Sequence, residues 1–344
     1  MTGTPFFTLP DGRTASLYRL RLPDGFGADV TDFGGCVTAL RTFDRFGVLR
    51  DVALSWQEPA VYAENPGYLG ALVGRIPNRI GGGRFTLDGR TYSLVRNERG
   101  CTTLHGGDGY SHRLWEVENA SPTRLTLTLR SPDGDAGFPG ALFIRAAYSV
   151  RADHTLELEI SAEADRRTVA DFTSHVYLNL EGESFGSCAT HDIALAADRT
   201  TETDDFLIPT GVTRPVAGGR FDLRPGRSFA DILAETPDGF DDNFILAERD
   251  HVWHENCAVV TARQSGIRLR LHTSRPGVQF YMGKYLSDAP YAGKSGRPYP
   301  AFGGFCLETQ CWPDAVNHPD FPPVTVEPGR PFHGLTRWQF DYLK

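Results

Sequence analysis

The sequence is first informative for what it lacks. No apolar run among its 344 residues approaches the roughly 20 residues that a membrane-spanning helix requires. The opening residues, MTGTPFFTLPDGRTASLYRLRL, show no charged segment followed by an apolar one, so no signal peptide is expected. Basic runs are missing as well. Lys and Arg number 35 against 43 Asp and Glu, a net charge of −8, which argues against nucleic acid as a partner because phosphate recognition relies on clustered cations. Cysteine is sparse. The six cysteines are spread without close pairing, which fits reduced thiols in the cytoplasm better than a disulfide framework. There is no fixed-period repeat. Helical signals are short, the best being Glu58 to Glu64 and Phe229 to Ala234. Neither could carry a crossover between parallel strands, so βαβ winding is not expected.

Alternation is what the chain has in quantity. Tyr18 to Leu22, Leu125 to Leu129, Leu156 to Ile160 and Ile267 to Leu271 each alternate apolar with polar residues. That is the pattern of strands with one buried and one wet face in antiparallel sheets. Asp88-Gly89 inside Arg84 to Leu94 marks a tight hairpin. With 37 Gly and 23 Pro to make turns, the expected architecture is all-β. It would be one large antiparallel β-sandwich over residues 1–344, with two sheets packed face to face.

Three stretches combine a core face with a chemically rich one. If Phe305 to Trp312 is a strand, Cys306, Glu308, Gln310 and Trp312 share a face. Asp171 to Leu180, read the same way, sets Thr173, His175, Tyr177 and Asn179 opposite an apolar face. Gly277 to Gly283 places Gln279 and Tyr281 together. Aromatics beside amides and carboxylates suit a sugar, whose C–H faces stack and whose hydroxyls need donors and acceptors. Ordinary exposed strand faces would show the same residues. Two loops add imidazole and cations: Gly70 to Gly83 with Arg75, Asn78 and Arg79, and Thr103 to Gly107 with His105. Cys306, Cys311 and His318 match no zinc spacing, and alternation puts the two cysteines on opposite faces, so no metal site is expected.

NRIGGGRFTLDG, TLHGG, SHVYLNL, DDNF, PGVQFYMG and CLETQCWPDAVNHPDFP, in that order, resemble the aldose 1-epimerase (galactose mutarotase) family. The resemblance runs from about Gly70 to Phe340. It implies a large β-sandwich with a sugar cleft on one sheet, and interconversion of the α and β anomers of a free monosaccharide such as galactose or glucose, without cofactor. By that resemblance Glu308 is the general base and His175 the general acid. His105 would hydrogen-bond near the reacting oxygens, and Asn78, Arg79, Asp241 and Gln279 would hold the sugar hydroxyls.

The chain departs from the family pattern at Asp242, where a histidine is usual, at Pro77, and at Cys311 and Trp312. These changes would lie beside the sugar and bear on substrate preference rather than reaction type, and the register of Asp241 against Asp242 stays open. Each catalytic group must lie within about 3 Å of its oxygen, so a separation of roughly 5–8 Å is expected, with the carboxylate favouring the imidazolium form of His175. A glycoside hydrolase using Glu308 with Asp241 or Asp242, and a non-catalytic sugar-binding protein, are the alternatives. A hexose 6-phosphate enzyme would need more arginines than Arg75 and Arg79. A monomer or weak homodimer, independent of membranes, is expected.

Overall fold

Most of the alternating stretches become antiparallel strands in the computed structural model, which describes residues 1–107 and 109–344. The largest sheet has nine strands. From one edge they run Glu116–Ala120, Arg124–Ser131, Leu142–Arg151, Thr155–Ala164, Phe332–Tyr342, Ile267–Thr273, His254–Ala262, His191–Leu195 and Arg227–Ser228. A five-stranded sheet is formed by the N-terminal strands Thr4–Thr8, Thr14–Arg21, Gly27–Thr31, Val37–Phe43 and Leu49–Asp51. A second has the order Pro209–Pro215, Arg199–Thr203, Asp241–Ile245, Gly277–Tyr281, Cys306–Gln310. One continuous buried core joins all three: Leu20, Val30 and Leu40 from the first small sheet, Phe244, Phe280 and Leu307 from the second, Leu127, Ile144, Leu158 and Leu269 from the large one. The architecture is thus a large antiparallel sandwich whose second layer is built from two smaller sheets rather than one.

The local signals are resolved by chemistry that the sequence carries. Asp88 and Gly89 both take positive φ, 51° and 74°, the backbone that a two-residue hairpin between Arg84–Leu87 and Arg90–Ser93 demands. Phe229–Glu235 is an α-helix, its first turn closed by Ser228, whose hydroxyl accepts from the Asp231 N–H. Pro59–Ala63 forms only a 3₁₀ turn without a side-chain cap, and Pro66 follows closely. No helix among the described residues is long and apolar enough to cross a membrane.

One expected strand is reorganised. Within Asp171 to Leu180 only Thr173–Ser174 pairs as a strand, with Leu72–Val73. The remaining backbone groups are shared among different neighbours: the His175 N–H donates to Ala71 O, Leu178 N–H to Phe305 O and Asn179 N–H to Val52 O. The segment is threaded between three other segments of the chain, and its side chains still alternate, with Val176 and Leu178 in the core. Trp312 also departs from expectation. The strand ends at Gln310, Pro313 follows, and Trp312 turns into a small cluster with Ile245 and Phe321, its Nε1 donating to Pro276 O. It does not face the cleft described below.

Candidate active site

The floor of the site is made by three adjacent strands whose residues stand opposite each other in register. Asp241 faces Tyr281, Tyr281 faces Cys306, and Gln279 faces Glu308. Alternation puts Leu307 into the core and Glu308 into a cleft of about 370 Å³. Asp241, not Asp242, points to this cleft. Asp242 stands opposite Phe280, and burial together with the charge of Asp241 pushes its carboxyl up to about 6.

The wall is a two-stranded ladder, Arg79–Ile80 against Thr103–Leu104, which delivers Arg79 from one strand and His105 from just beyond the other. The turn after His105 needs glycine. Gly106 has φ +78°, and a Cβ there would meet the carbonyl oxygen of Gly74 at 2.3 Å. Asn78 and His105 clasp each other: the His105 N–H donates to Asn78 O at 3.0 Å, and the Asn78 N–H donates to His105 Nδ1 at 3.2 Å. Nδ1 is therefore an acceptor, and the neutral ring carries its proton on Nε2. Burial, then the neighbouring His175 and Arg79, hold His105 well below the ordinary histidine range, so it is a neutral N–H donor.

His175 enters from the threaded segment. Its Nε2 lies 3.7 Å from Glu308 Oε1, and its Nδ1 lies 3.5 Å from the Cys306 thiol. This separation is shorter than the roughly 5–8 Å expected: the two buried side chains approach each other directly across the cleft. The expected imidazolium is also corrected. Burial lowers His175 to about 4, and burial followed by the charge of Asp241 raises Glu308 well above the usual carboxylate range. Desolvation outweighs the pair's mutual attraction and favours the neutral acid beside a neutral imidazole. Glu308 is 2% exposed and its Oε2 has no protein partner.

Ligand atoms of His105, His175 and Glu308 all lie within 4.8 Å of one another, a separation that raises the question of a cation. The hydrogen bonds answer it. The lone pair of His105 Nδ1 is taken by the Asn78 N–H and Nε2 bears the proton, so this ring has no free lone pair to give a metal.

Of the residues expected at the site, Asn78, Arg79, His105, His175, Asp241 and Glu308 line the cleft. Gln279 is set back: buried, it donates through Nε2 to Asp241 Oδ1 at 2.8 Å. Arg75 is remote from the cleft. Its guanidinium is fully buried, donating to the Tyr110 hydroxyl, Ser131 Oγ and the carbonyls of Pro139 and Gly140. The structure also adds residues that the sequence reading passed over. Glu98 accepts a two-pronged contact from Arg79, both prongs 2.9 Å. Tyr68 packs its ring 4.6 Å from that of His105 and 6.1 Å from that of His175. Both sit in irregular segments, where no periodicity marks them. Cys306, by contrast, shares the alternation face of Glu308 and was legible as its neighbour.

Comparison with known proteins places this geometry among relatives. Residues 16–338 match the family model described as aldose 1-epimerase. The chain is 40% identical to the galactose mutarotase of Rattus norvegicus, over 99% of this chain and 98% of that protein. It is 32% identical to the aldose 1-epimerase of Escherichia coli K12, over 96% of each. Its fold superposes on an aldose epimerase homologue from C. elegans with a TM-score of 0.87 at 27% identity, covering 96% of this chain and 100% of that one.

Proposed function

Because the chain belongs to the aldose 1-epimerase family and is an epimerase acting on carbohydrates, we propose that it opens and recloses the ring of a free aldose such as galactose or glucose with one proton shared by Glu308 and His175. The observation that carries this reading is the 3.7 Å approach of His175 Nε2 to Glu308 Oε1 inside the cleft.

Transfer of the shared proton from Glu308 to His175 makes the pair carboxylate and imidazolium; Glu308 then takes the proton of the C1 hydroxyl while His175 protonates the ring oxygen. The C1–O5 bond breaks and the aldehyde forms. Both side chains are now neutral, the condition that their burial favours. Rotation about C1–C2 turns the other face of the carbonyl to the C5 hydroxyl. His175 then takes the proton of that hydroxyl, Glu308 returns one to O1, and the ring closes as the other anomer. No proton is gained or lost, so no cofactor is required. The His105 N–H is suited to steady negative charge on the reacting oxygens, and Asn78, Arg79 and Asp241 to hold hydroxyls. Gln279 acts through Asp241. The six cysteines, all free thiols, support a reducing, cytoplasmic setting.

Optical rotation of freshly dissolved α-galactose and α-glucose tests this reading. It predicts relaxation to the anomer equilibrium well above the spontaneous rate. Release of sugar from aryl glycosides without such acceleration would instead favour a hydrolase.

A further inference from the structure

Arg79 stands among three carboxylates that compete for its charge: Glu98, Asp241 and Glu308. Its hydrogen bonds are not shared evenly. Nε donates to Glu98 Oε2 and Nη2 to Glu98 Oε1, each at 2.9 Å, the parallel fork that arginine makes best with a carboxylate. The third nitrogen, Nη1, is left 3.7 Å from Asp241 Oδ2, beyond an ordinary hydrogen bond. Glu98 is itself held. The buried Thr102 hydroxyl donates to its Oε2 at 2.9 Å, and the turn from Glu98 to Thr102 is closed by the N–H groups of Cys101 and Thr102 on Glu98 O. Thr103 and Leu104, directly after that turn, pair with Ile80 and Arg79. The anchor, the arginine and His105 therefore belong to one small rigid unit.

We propose that Glu98 is a positioning residue: its carboxylate fixes the Arg79 guanidinium so that Nη1 is presented to a sugar hydroxyl beside Asp241 and is kept from pairing with Glu308. The inference rests on the reading above, in which Arg79 holds the sugar and Glu308 exchanges the proton. Without the fork, the guanidinium is free to collapse onto Asp241 and Glu308, blocking the first as a hydroxyl acceptor and stabilising the second as a carboxylate. The titratable groups facing Arg79 are then Asp241, Glu308 and His105, with His175 beyond Glu308.

The test is steady-state mutarotation of galactose by wild type, Glu98→Gln, Glu98→Asp and Thr102→Val, each with a full pH profile and a melting curve. Glu98→Gln is expected to raise KM about tenfold, the scale of one lost charge-assisted contact, and to move the acid limb of kcat/KM to lower pH. Thr102→Val, which only loosens the anchor, and Glu98→Asp, which keeps the charge, should give smaller changes in the same direction. Unchanged KM and pH profile in both Glu98→Gln and Thr102→Val overturns the proposal, as does a fall in melting temperature alone. Should Glu98→Gln not fold, Thr102→Val and Glu98→Asp decide by the same two readouts. An inactive wild type would instead strike at the underlying reading, so the two failures are distinguishable.

Discussion

His175 Nε2 and Glu308 Oε1 lie 3.7 Å apart, with side chains only 6% and 3% exposed. Neither environment is neutral toward its partner: burial disfavours both charged forms, and the charge of Asp241 further opposes the carboxylate. In the proposed mechanism such a pair would exchange one proton between two arrangements, one used in ring opening and the other in ring closure. A single pair would then serve as acid and base on both faces of the sugar carbonyl.

The register of the two aspartates gives a first prediction. Asp241 faces the cleft and Asp242 the other side of the sheet. Asp241→Asn should raise KM for galactose by about tenfold or more, while Asp242→Asn should leave it within about twofold. Steady-state kinetics on the two variants distinguishes them.

Burial of Trp312 and Arg75 away from the cleft gives a second. Trp312→Phe should leave KM unchanged although the residue follows the strand that carries Glu308. Arg75→Leu strands the acceptors of a fully buried guanidinium and should lower stability by about 3 kcal/mol or more. The activity of the molecules that remain folded should be preserved. Urea unfolding and kinetics, measured together, check both.

A third prediction concerns pH and stability. His191 donates from Nδ1 to Cys188 O and accepts at Nε2 from the Leu180 N–H. Burial lowers it to about 4 from 6.5. Between those values the unfolded chain binds a proton that the folded chain does not, so this group's contribution to stability falls as pH falls. The stability gap between wild type and His191→Gln should therefore narrow by about 2 kcal/mol between pH 7.5 and 4.5, as urea melts at the two values would show.

Much of this was legible because strands repeat every two residues. Leu307 inward and Glu308 outward follow from alternation alone, as does the presence of Cys306 on the Glu308 face. The same rule failed at Trp312, where it was carried two residues past the end of the strand at Gln310. It also overran the His175 segment, whose backbone bonds are divided among several neighbours that are distant in sequence. Glu98 gave no signal, since a charged residue in an irregular stretch ordinarily faces water. Its meaning depends on the Arg79–Leu104 pairing, a contact that only the folded chain makes. The protonation of the His175–Glu308 pair differs from the expectation because burial, the dominant influence on it, is a property of the packed cleft.

The most direct measurement is the rate at which freshly dissolved α-galactose changes optical rotation with Glu308→Gln in place of wild type. The substitution keeps the shape of the side chain and removes its ability to take the anomeric proton. A fall of about 10² to 10⁴ in kcat, in a variant that still melts as the wild type does and still binds sugar, is the result expected of a lost general base. Mutarotation at the wild-type rate would contradict the assignment of Glu308, and with it the shared-proton mechanism.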